Sequence, residues 1–201
     1  MKQILFYDTE TTGLPKSWSA PASEVDNWPR LVQLGWLLTD MNGTVIRQGN
    51  MIVKPDGFEI PAGAASVHGI TTEIAMQQGQ PLTDVINAFI GDLSQADAIV
   101  GHNIPFDKKV VGAELHRLNL ANVEEQMRTT QTVDTMTSST SYCGIRDSRG
   151  RVKWPKLIEL YRFLFGKDFE DAHDAMADIT ATKECYFELV NRGVIPSLKT
   201  E

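Results

Sequence analysis

The chain has 201 residues, of which 42% are hydrophobic and 22% charged, as in an ordinary globular protein with one full core. Its net charge of −7 argues against a protein that coats nucleic acid by general electrostatic attraction, but not against an acidic site neutralised by metal ions. Two cysteines, no signal-peptide pattern and no membrane-length apolar run lead us to expect a cytoplasmic protein with a single domain over residues 1–201.

The first part of the chain predicts a strand, an irregular excursion and a hairpin. Residues 4–9 form a short apolar run bounded by turn residues, a pattern typical of a buried strand. Residues 15–30 contain three prolines and two tryptophans and follow no regular period. Two further strands are expected over residues 31–40 and 43–55, and the Asn-Gly pair between them is a strong hairpin-turn signal.

The rest of the chain alternates helical and strand patterns. Residues 60–71 are expected to be irregular, and Thr71 or Thr72 is expected to cap a short helix that follows. The remaining predicted elements are a helix over 81–96, a strand over 97–101, a helix over 104–120 capped by Asn103, a strand over 131–136, a loop over 137–153, and helices over 155–166 and 174–192. This order predicts an α/β fold with a mixed central sheet of about five strands flanked by helices.

Two carboxylates stand at the end of the first predicted strand. Asp8 and Glu10 are two residues apart, so the alternation of a strand points both to one face of the sheet. Like charges this close raise each other's pKa unless a positive charge intervenes, and Mg²⁺ or Mn²⁺ prefers carboxylate oxygen. Taken alone, the pair also fits a solvated strand end with turn-forming residues.

Two later motifs carry acids near the start of predicted helices. In GHNIPFD, Asp107 opens a helix directly after a buried strand, where α/β proteins place active sites, although it also fits a carboxylate that complements the helix dipole. In HDAMAD, Asp178 lies in the first turns of the last helix. His173 is five residues earlier, so the two share a site only if His173 precedes the helix. If the helix starts after His173, Asp174 is its natural N-cap. A different start, with Asp171 as the cap, is the alternative.

Together these residues indicate metal-dependent phosphodiester chemistry. Four acids at element ends can hold two divalent cations, Mg²⁺ or Mn²⁺, about 4 Å apart, the arrangement for in-line phosphoryl displacement by water. The candidate metal ligands are Asp8, Glu10, Asp107 and Asp178. A histidine titrates near neutrality, so His173 is the candidate that accepts the proton of the attacking water.

The motifs DTETTG, GHNIPFD and HDAMAD closely resemble those of the DnaQ-like (DEDDh) family of 3′→5′ exonucleases, in the family's order and over most of the chain. The resemblance implies a ribonuclease H-like fold. It implies that Asp8 bridges two metal ions and that Glu10 and Asp178 complete the shell of the first. Asp107 then serves the second ion. His173 resembles the general base, and the sister group with Tyr-x3-Asp is excluded because position 174 is Asp and not Tyr.

The resemblance also implies contacts to the 3′ end of a substrate. The candidate substrate-binding residues are Thr11, Thr12, Leu14, Val67, His68 and Phe106. The first three resemble the segment that holds the 3′-terminal nucleotide, and the others match positions that contact the terminal bases or sugar. From the residues alone, His68 also fits a turn or cap and Phe106 also fits the core. An aromatic contact suits a sequence-tolerant binder of single strands.

Two segments depart from compact members of this family. The excursion over residues 15–30 is longer, and its Trp18 and Trp28 either pack as a lid or touch substrate. The segment over residues 146–156 concentrates five basic side chains against a single acid: Arg146, Arg149, Arg151, Lys153 and Lys156. This local excess suits a surface that follows phosphates, and it equally suits a mobile, solvated loop.

These observations lead us to expect a metal-dependent 3′→5′ exonuclease that releases nucleoside 5′-monophosphates from single-stranded or frayed ends. DTETTGL resembles the DNA-processing and proofreading branches, so DNA is favoured and trimming of RNA 3′ ends is the alternative. A catalytically inactive nucleic-acid-binding module is the alternative from another functional class. The expected partners are single-stranded DNA or RNA 3′ ends, without a membrane. Recruitment by a polymerase or repair partner and the oligomeric state are left open.

Overall fold

The computed structural model describes residues 2–170 and 174–198, which contain a five-stranded mixed sheet. The strands are β1 (Gln3–Thr11), β2 (Leu31–Asp40), β3 (Val45–Ile52), β4 (Ala98–Gly101) and β5 (Gln131–Asp134). They lie in the order β3-β2-β1-β4-β5, and β1 pairs antiparallel with β2 and parallel with β4. The predicted mixed sheet of about five strands is therefore confirmed.

Eight α-helices within these residues cover both faces of the sheet. They are α1 (Ala62–His68), α2 (Thr72–Gln78), α3 (Leu82–Leu93), α4 (Ile104–Arg117), α5 (Ala121–Thr129), α6 (Thr135–Cys143), α7 (Leu157–Phe165) and α8 (Ala175–Asn191). Helices α3 and α4 pack on one face, in a core that includes Leu5 and Tyr7 of β1. Helices α7 and α8 pack on the other, against Ile4 and Phe6. Because β1 is covered on both faces, it reads as a continuous apolar run.

None of the helices described is both long enough and apolar enough to cross a lipid bilayer.

Three short helices depart from the predictions. Residues 60–71, predicted to be irregular, contain α1, and the loop predicted from residue 137 is occupied at its start by α6. Helix α5 lies where no element was predicted. Helix α1 buries none of its side chains fully and α5 only Met127, so neither shows a broad apolar stripe. Helix α6 consists largely of Ser and Thr, which are weak helix formers, and Asp134 caps it by accepting the Met136 N–H at 3.0 Å.

The predicted cap residues occupy the N-cap positions of α2, α4 and α8. Thr71 caps α2 by accepting a backbone N–H at 3.3 Å, and Asp174 caps α8 by accepting two at 3.0 Å. Asn103 occupies the N-cap position of α4 as predicted, but its side chain makes no cap hydrogen bond. It adopts a left-handed conformation (φ 66°), which Asn tolerates better than most residues, and Asp134 Oδ1 accepts its N–H at 2.8 Å.

A buried ionic cluster holds the excursion that precedes β2 against the body of the protein. Glu114 of α4 is fully buried and accepts from Arg30 Nε at 2.9 Å. Arg117 lies 3.0 Å from the same carboxylate and donates to the Trp28 carbonyl at 3.0 Å. Trp28 is 4% exposed and belongs to the core, whereas Trp18 is 59% exposed. Of the two readings for the excursion, packing therefore applies to Trp28.

A glycine in β2 determines how closely α8 approaches the sheet. Gly35 lies opposite Asp8 in the β1–β2 register. A Cβ atom placed on Gly35 would lie 2.6 Å from Ile179 Cδ1 and 3.3 Å from Ala175 Cβ, both on α8. The missing side chain therefore allows the first turns of α8, which carry Asp178, to lie against the end of β1.

Gly35→Ala should lower the free energy of unfolding by about 1–3 kcal/mol, because the added methyl group overpacks the contact with α8. Chemical denaturation measures this loss. Adding Ile179→Val removes the nearest atom and should recover part of it, with Ile179→Val alone as the matched control. Strictly additive losses in the double variant would contradict a steric limit between residues 35 and 179.

Candidate active site

Three carboxylates converge where β1 meets the first turns of α8. Oxygen atoms of Asp8, Glu10 and Asp178 lie within 4.8 Å of one another, and all three residues are half-buried. Asp8 and Glu10 share the face of β1 that α8 covers, because Ile4 and Phe6 of the same alternation pack there. The Asp174 cap sets the start of α8 and so brings Asp178 to this face. The structure thus brings together three of the four predicted metal ligands.

Asp107 reaches the same strand end from the opposite face of the sheet. It is 3% exposed, and its Oδ1 accepts from the Thr9 N–H at 3.1 Å and from the Thr9 hydroxyl at 2.7 Å. Thr9 lies between Asp8 and Glu10, so its side chain points to the face that α4 covers. Asp107 is therefore outside the group of three mutually close carboxylates and is joined to it through one residue of β1.

The carboxylates disfavour one another's charged forms. Burial, followed by the nearby charge of Asp107, raises the pKa of Asp8 well above its usual value. Burial and the charge of Asp178 raise the pKa of Glu10 to about 8. Burial also raises the pKa of Asp107 to about 7, although the hydrogen bonds from Thr9 favour its charged form. Repulsion and desolvation therefore dominate this end of β1.

The donor set fits divalent cations. In the part of the chain that the structure describes, no Lys or Arg forms an ion pair with Asp8, Glu10 or Asp107. Three close carboxylate oxygens match the hard oxygen ligands that Mg²⁺ and Mn²⁺ prefer. A cation placed among them removes the repulsion that raises the pKa values, so Asp8, Glu10 and Asp178 can hold a metal ion.

The predicted substrate segment directly follows the carboxylates. Thr11 is the last residue of β1, and its hydroxyl donates to the Gly13 carbonyl at 2.8 Å. Thr12 donates its N–H to the Arg30 carbonyl at 3.0 Å, and its hydroxyl oxygen accepts the Arg30 N–H at 2.9 Å. Leu14 is 74% exposed. The segment is thus held by its backbone and its hydroxyl groups while an apolar side chain stays free.

His68 links the end of α1 to this segment. Its Nδ1 accepts the Ile70 N–H at 3.1 Å, so the neutral ring carries its proton on Nε2. Nε2 is buried and has no hydrogen-bond partner among the residues the structure describes. Burial lowers the pKa of His68, while the nearby Thr11 carbonyl favours the protonated form. The His68 ring therefore lies beside Thr11, and the side chain of the neighbouring Val67 is exposed.

Phe106 is half-buried and lies between the two tryptophans of the excursion. Its ring centroid is 5.7 Å from that of Trp18 and 6.5 Å from that of Trp28. The contact with buried Trp28 makes Phe106 partly a packing residue. The contact with exposed Trp18 forms an aromatic surface at the residue that immediately precedes Asp107.

His173 lies outside the residues that the structure describes, so its predicted role as general base stays a prediction. Two residues that the sequence reasoning missed contribute to the site: Thr9 holds Asp107, and Gly35 admits α8. A glycine inside an otherwise apolar strand often marks a place where another backbone approaches closely. The close contact at Gly35 could therefore have been predicted from the sequence. No comparable local signal marks Thr9, because its partner is distant in the chain.

In the absence of metal, the protein should lose stability as the pH rises from about 5 to 8. The pKa values of Glu10 and Asp107 in the folded protein, about 8 and about 7, exceed the value of roughly 4 expected in the unfolded chain. The folded state therefore keeps protons that the unfolded state releases, and stability falls with pH across this interval. Melting temperatures measured with a chelator should show the fall, and Mg²⁺ or Mn²⁺ should reverse it at pH 8.

Asp8→Asn removes a carboxyl group whose own pKa is raised in the folded protein, and it should therefore flatten this pH dependence in the chelator. Asp56→Asn, at an exposed position, is the matched control and should leave the slope unchanged. A melting temperature that rises between pH 5 and 8 without metal would contradict the repulsion.

The structure is similar to solved exonuclease I structures. One is E. coli exonuclease I in complex with a dT13 oligonucleotide, with a TM-score of 0.73 and 23% identity, covering 95% of this chain and 41% of that one. Another is exonuclease I from Methylocaldum szegediense, with a TM-score of 0.72 and 22% identity, covering 96% of this chain and 41% of that one. The chain thus spans about two fifths of these proteins' length, and at this identity the likeness concerns the fold.

No curated protein sequence matches the chain significantly. A family model does match: RNase_T, described as Exonuclease, covers residues 5–186. This range includes all the carboxylate residues of the site, from Asp8 to Asp178. The chain therefore belongs to this exonuclease family and has the ribonuclease H-like fold that its motifs imply.

Proposed function

We propose that this protein is a metal-dependent 3′→5′ exonuclease that hydrolyses the terminal phosphodiester bond of single-stranded or frayed DNA. The observation that carries the proposal is the convergence of Asp8, Glu10 and Asp178, with Asp107 joined to the group through Thr9. A phosphodiester is itself negative, so these carboxylates attract it only when cations offset their charge. Membership of the exonuclease family supports the same chemistry.

The acids of both faces then serve two divalent cations. Asp8, Glu10 and Asp178 would hold the first, and Asp107 together with Asp8 the second. When bound, such cations lower the pKa of water and offset the charge of the phosphate. The donor set consists of carboxylate oxygens alone and so favours Mg²⁺ or Mn²⁺.

His173 is the proposed general base. It directly precedes Asp174, whose carboxylate starts the helix that carries Asp178. A neutral imidazole accepts the proton of the attacking water, whose oxygen forms a new bond to phosphorus while the bond to O3′ breaks. The released O3′ takes a proton from solvent. The products are a nucleoside 5′-monophosphate and a strand that is one nucleotide shorter.

The 3′-terminal nucleotide is proposed to lie over the segment that ends β1. Thr11 and Thr12 hold the backbone of this segment in place, and Leu14 is exposed for contact with a base. His68 lies beside Thr11, and Phe106 supplies an aromatic face beside Asp107. Single-stranded DNA is the favoured substrate because the similar exonuclease I structures include complexes with dT13 and dA16 oligonucleotides.

With Mg²⁺ or Mn²⁺, the purified protein should shorten a 5′-labelled single-stranded DNA stepwise and release nucleoside 5′-monophosphates. Asp8→Ala should reduce turnover to background, because it removes a ligand of both ions; Asp56→Asn is the matched control. A strand blocked at its 3′ end should persist on denaturing gels, and one blocked at its 5′ end should not. The reverse pattern would contradict the polarity, and faster loss of a matched RNA would assign RNA as the substrate.

His173→Ala should lower the rate of hydrolysis by roughly 10²- to 10⁴-fold, the usual contribution of a general base. Binding of Mn²⁺, measured by calorimetric titration, should stay near that of the unaltered protein because His173 is not a proposed ligand. An unchanged rate would exclude His173 as the base. A loss of Mn²⁺ binding would instead make it part of the metal site.

A further inference from the structure

The basic segment after α6 forms an ordered hairpin. Its backbone closes through an antiparallel bridge between Arg146 and Val152. At its tip, one Asp147 oxygen accepts the N–H groups of Arg149 and Arg151, both at 2.9 Å. Of the two readings that the sequence left open, these bonds disfavour the mobile, solvated loop. Residues 145–156 are called the basic hairpin below.

Three of the five cations in the basic hairpin lack an ion pair in the part of the chain that the structure describes. Asp147 pairs with Arg151 at 2.9 Å, and Glu159 of α7 pairs with Lys153 at 2.6 Å. Within residues 2–170 and 174–198, no carboxylate forms an ion pair with the others, which are Arg146, Arg149 and Lys156. All three are exposed. In a chain of net charge −7, they form a local positive surface that attracts a polyanion.

The basic hairpin also exposes a large aromatic ring. Trp154 is 66% exposed, although the next residue, Pro155, is buried. Proteins that bind single-stranded nucleic acid without sequence preference combine cations that follow the phosphates with aromatic rings on which bases stack. Trp154 and the three cations without an ion pair supply both parts within one short segment.

His102 attaches the basic hairpin to the active-site edge of the sheet. Its Nε2 donates to the Pro155 carbonyl at 2.9 Å. Strands β1 and β4 are parallel, with Phe6 opposite Val100. His102 follows Gly101, the last residue of β4, at the same end of the sheet at which β1 carries Asp8 and Glu10. Pro155, near the C-terminal end of the basic hairpin, is therefore held just beyond the end of the strand that neighbours β1.

We propose that the basic hairpin binds the single strand upstream of the 3′ end that occupies the carboxylate site. Trp154 stacks on a base, and Arg146, Arg149 and Lys156 contact phosphates. The proposal rests on the proposed function, because that function places the 3′ end at Asp8. It adds a second contact region, which holds long strands more tightly than the carboxylate site alone.

Direct binding tests the basic hairpin without cleavage. Fluorescence anisotropy with a labelled oligothymidylate in a chelator should show a Kd roughly 5- to 100-fold higher for Trp154→Ala, the range for loss of a stacking aromatic. Trp154→Phe should retain most of the affinity. Arg149→Ala should reduce the slope of log K against log salt by about 0.7, the share of one phosphate on a single strand.

Arg128→Ala is the matched control for charge. Arg128 is an exposed cation near the end of α5, just before β5 begins. Because β1, β4 and β5 are parallel, the start of β5 lies at the other end of the strands from Asp8. Its loss should change neither the Kd nor the salt slope. Equal Kd values for Trp154→Ala and the unaltered protein, or no measurable binding by the unaltered protein, would overturn the proposal.

Turnover separates this proposal from the proposed function. On long strands with Mg²⁺, Trp154→Ala should raise KM with little change in kcat. The p-nitrophenyl ester of thymidine 5′-monophosphate is too small to reach the basic hairpin, so the variant should hydrolyse it at an unchanged rate. If the unaltered protein shows no nuclease activity but Trp154→Ala still binds single strands more weakly, the proposed function is refuted and the binding role of the basic hairpin stands. If the unaltered protein is active and Trp154→Ala leaves KM on long strands unchanged, only the binding role of the basic hairpin is refuted.

Discussion

Repulsion among carboxylates at the end of β1 is the constraint on which the rest of the structure depends. Asp8 and Asp178 are distant in the chain, yet Asp178, after burial, Asp107 and Glu10, disfavours the charged form of Asp8. They stay close because α8 packs against the sheet in a core that includes Phe6 and Ile179, and because Gly35 leaves room for that contact. Burial of apolar surface thus offsets a local electrostatic cost, which is a common property of functional sites.

The alternation of β1 distributes the acids over two faces of the sheet. Asp8 and Glu10 face α8, whereas Thr9 faces α4 and binds Asp107. Acids from opposite faces can meet only where the strand ends, since a continuous sheet would separate them. The position of the site at the end of β1 therefore follows from the layer architecture as much as from the motifs.

The charge distribution answers a difficulty that the acidic composition raises. A chain of net charge −7 with carboxylates at its active site repels a polyanion over long range. Cations bound among the carboxylates would reduce this repulsion locally, and the basic hairpin is proposed to counter it nearby. The excursion contributes differently: the buried Glu114 cluster holds it in place, and Trp18 extends the aromatic surface of Phe106.

Most of the fold and the principal acids were predictable from sequence because they depend on local rules. Apolar runs and turn residues determined the five strands, period-two alternation determined that Asp8 and Glu10 point together, and Asp174 marked the start of α8. Helices α1, α5 and α6 escaped prediction because they lack a broad apolar stripe and depend on their surroundings. Only the tertiary structure decided that Asp107 binds Thr9 and that Gly35 admits α8, since both contacts join residues far apart in the chain.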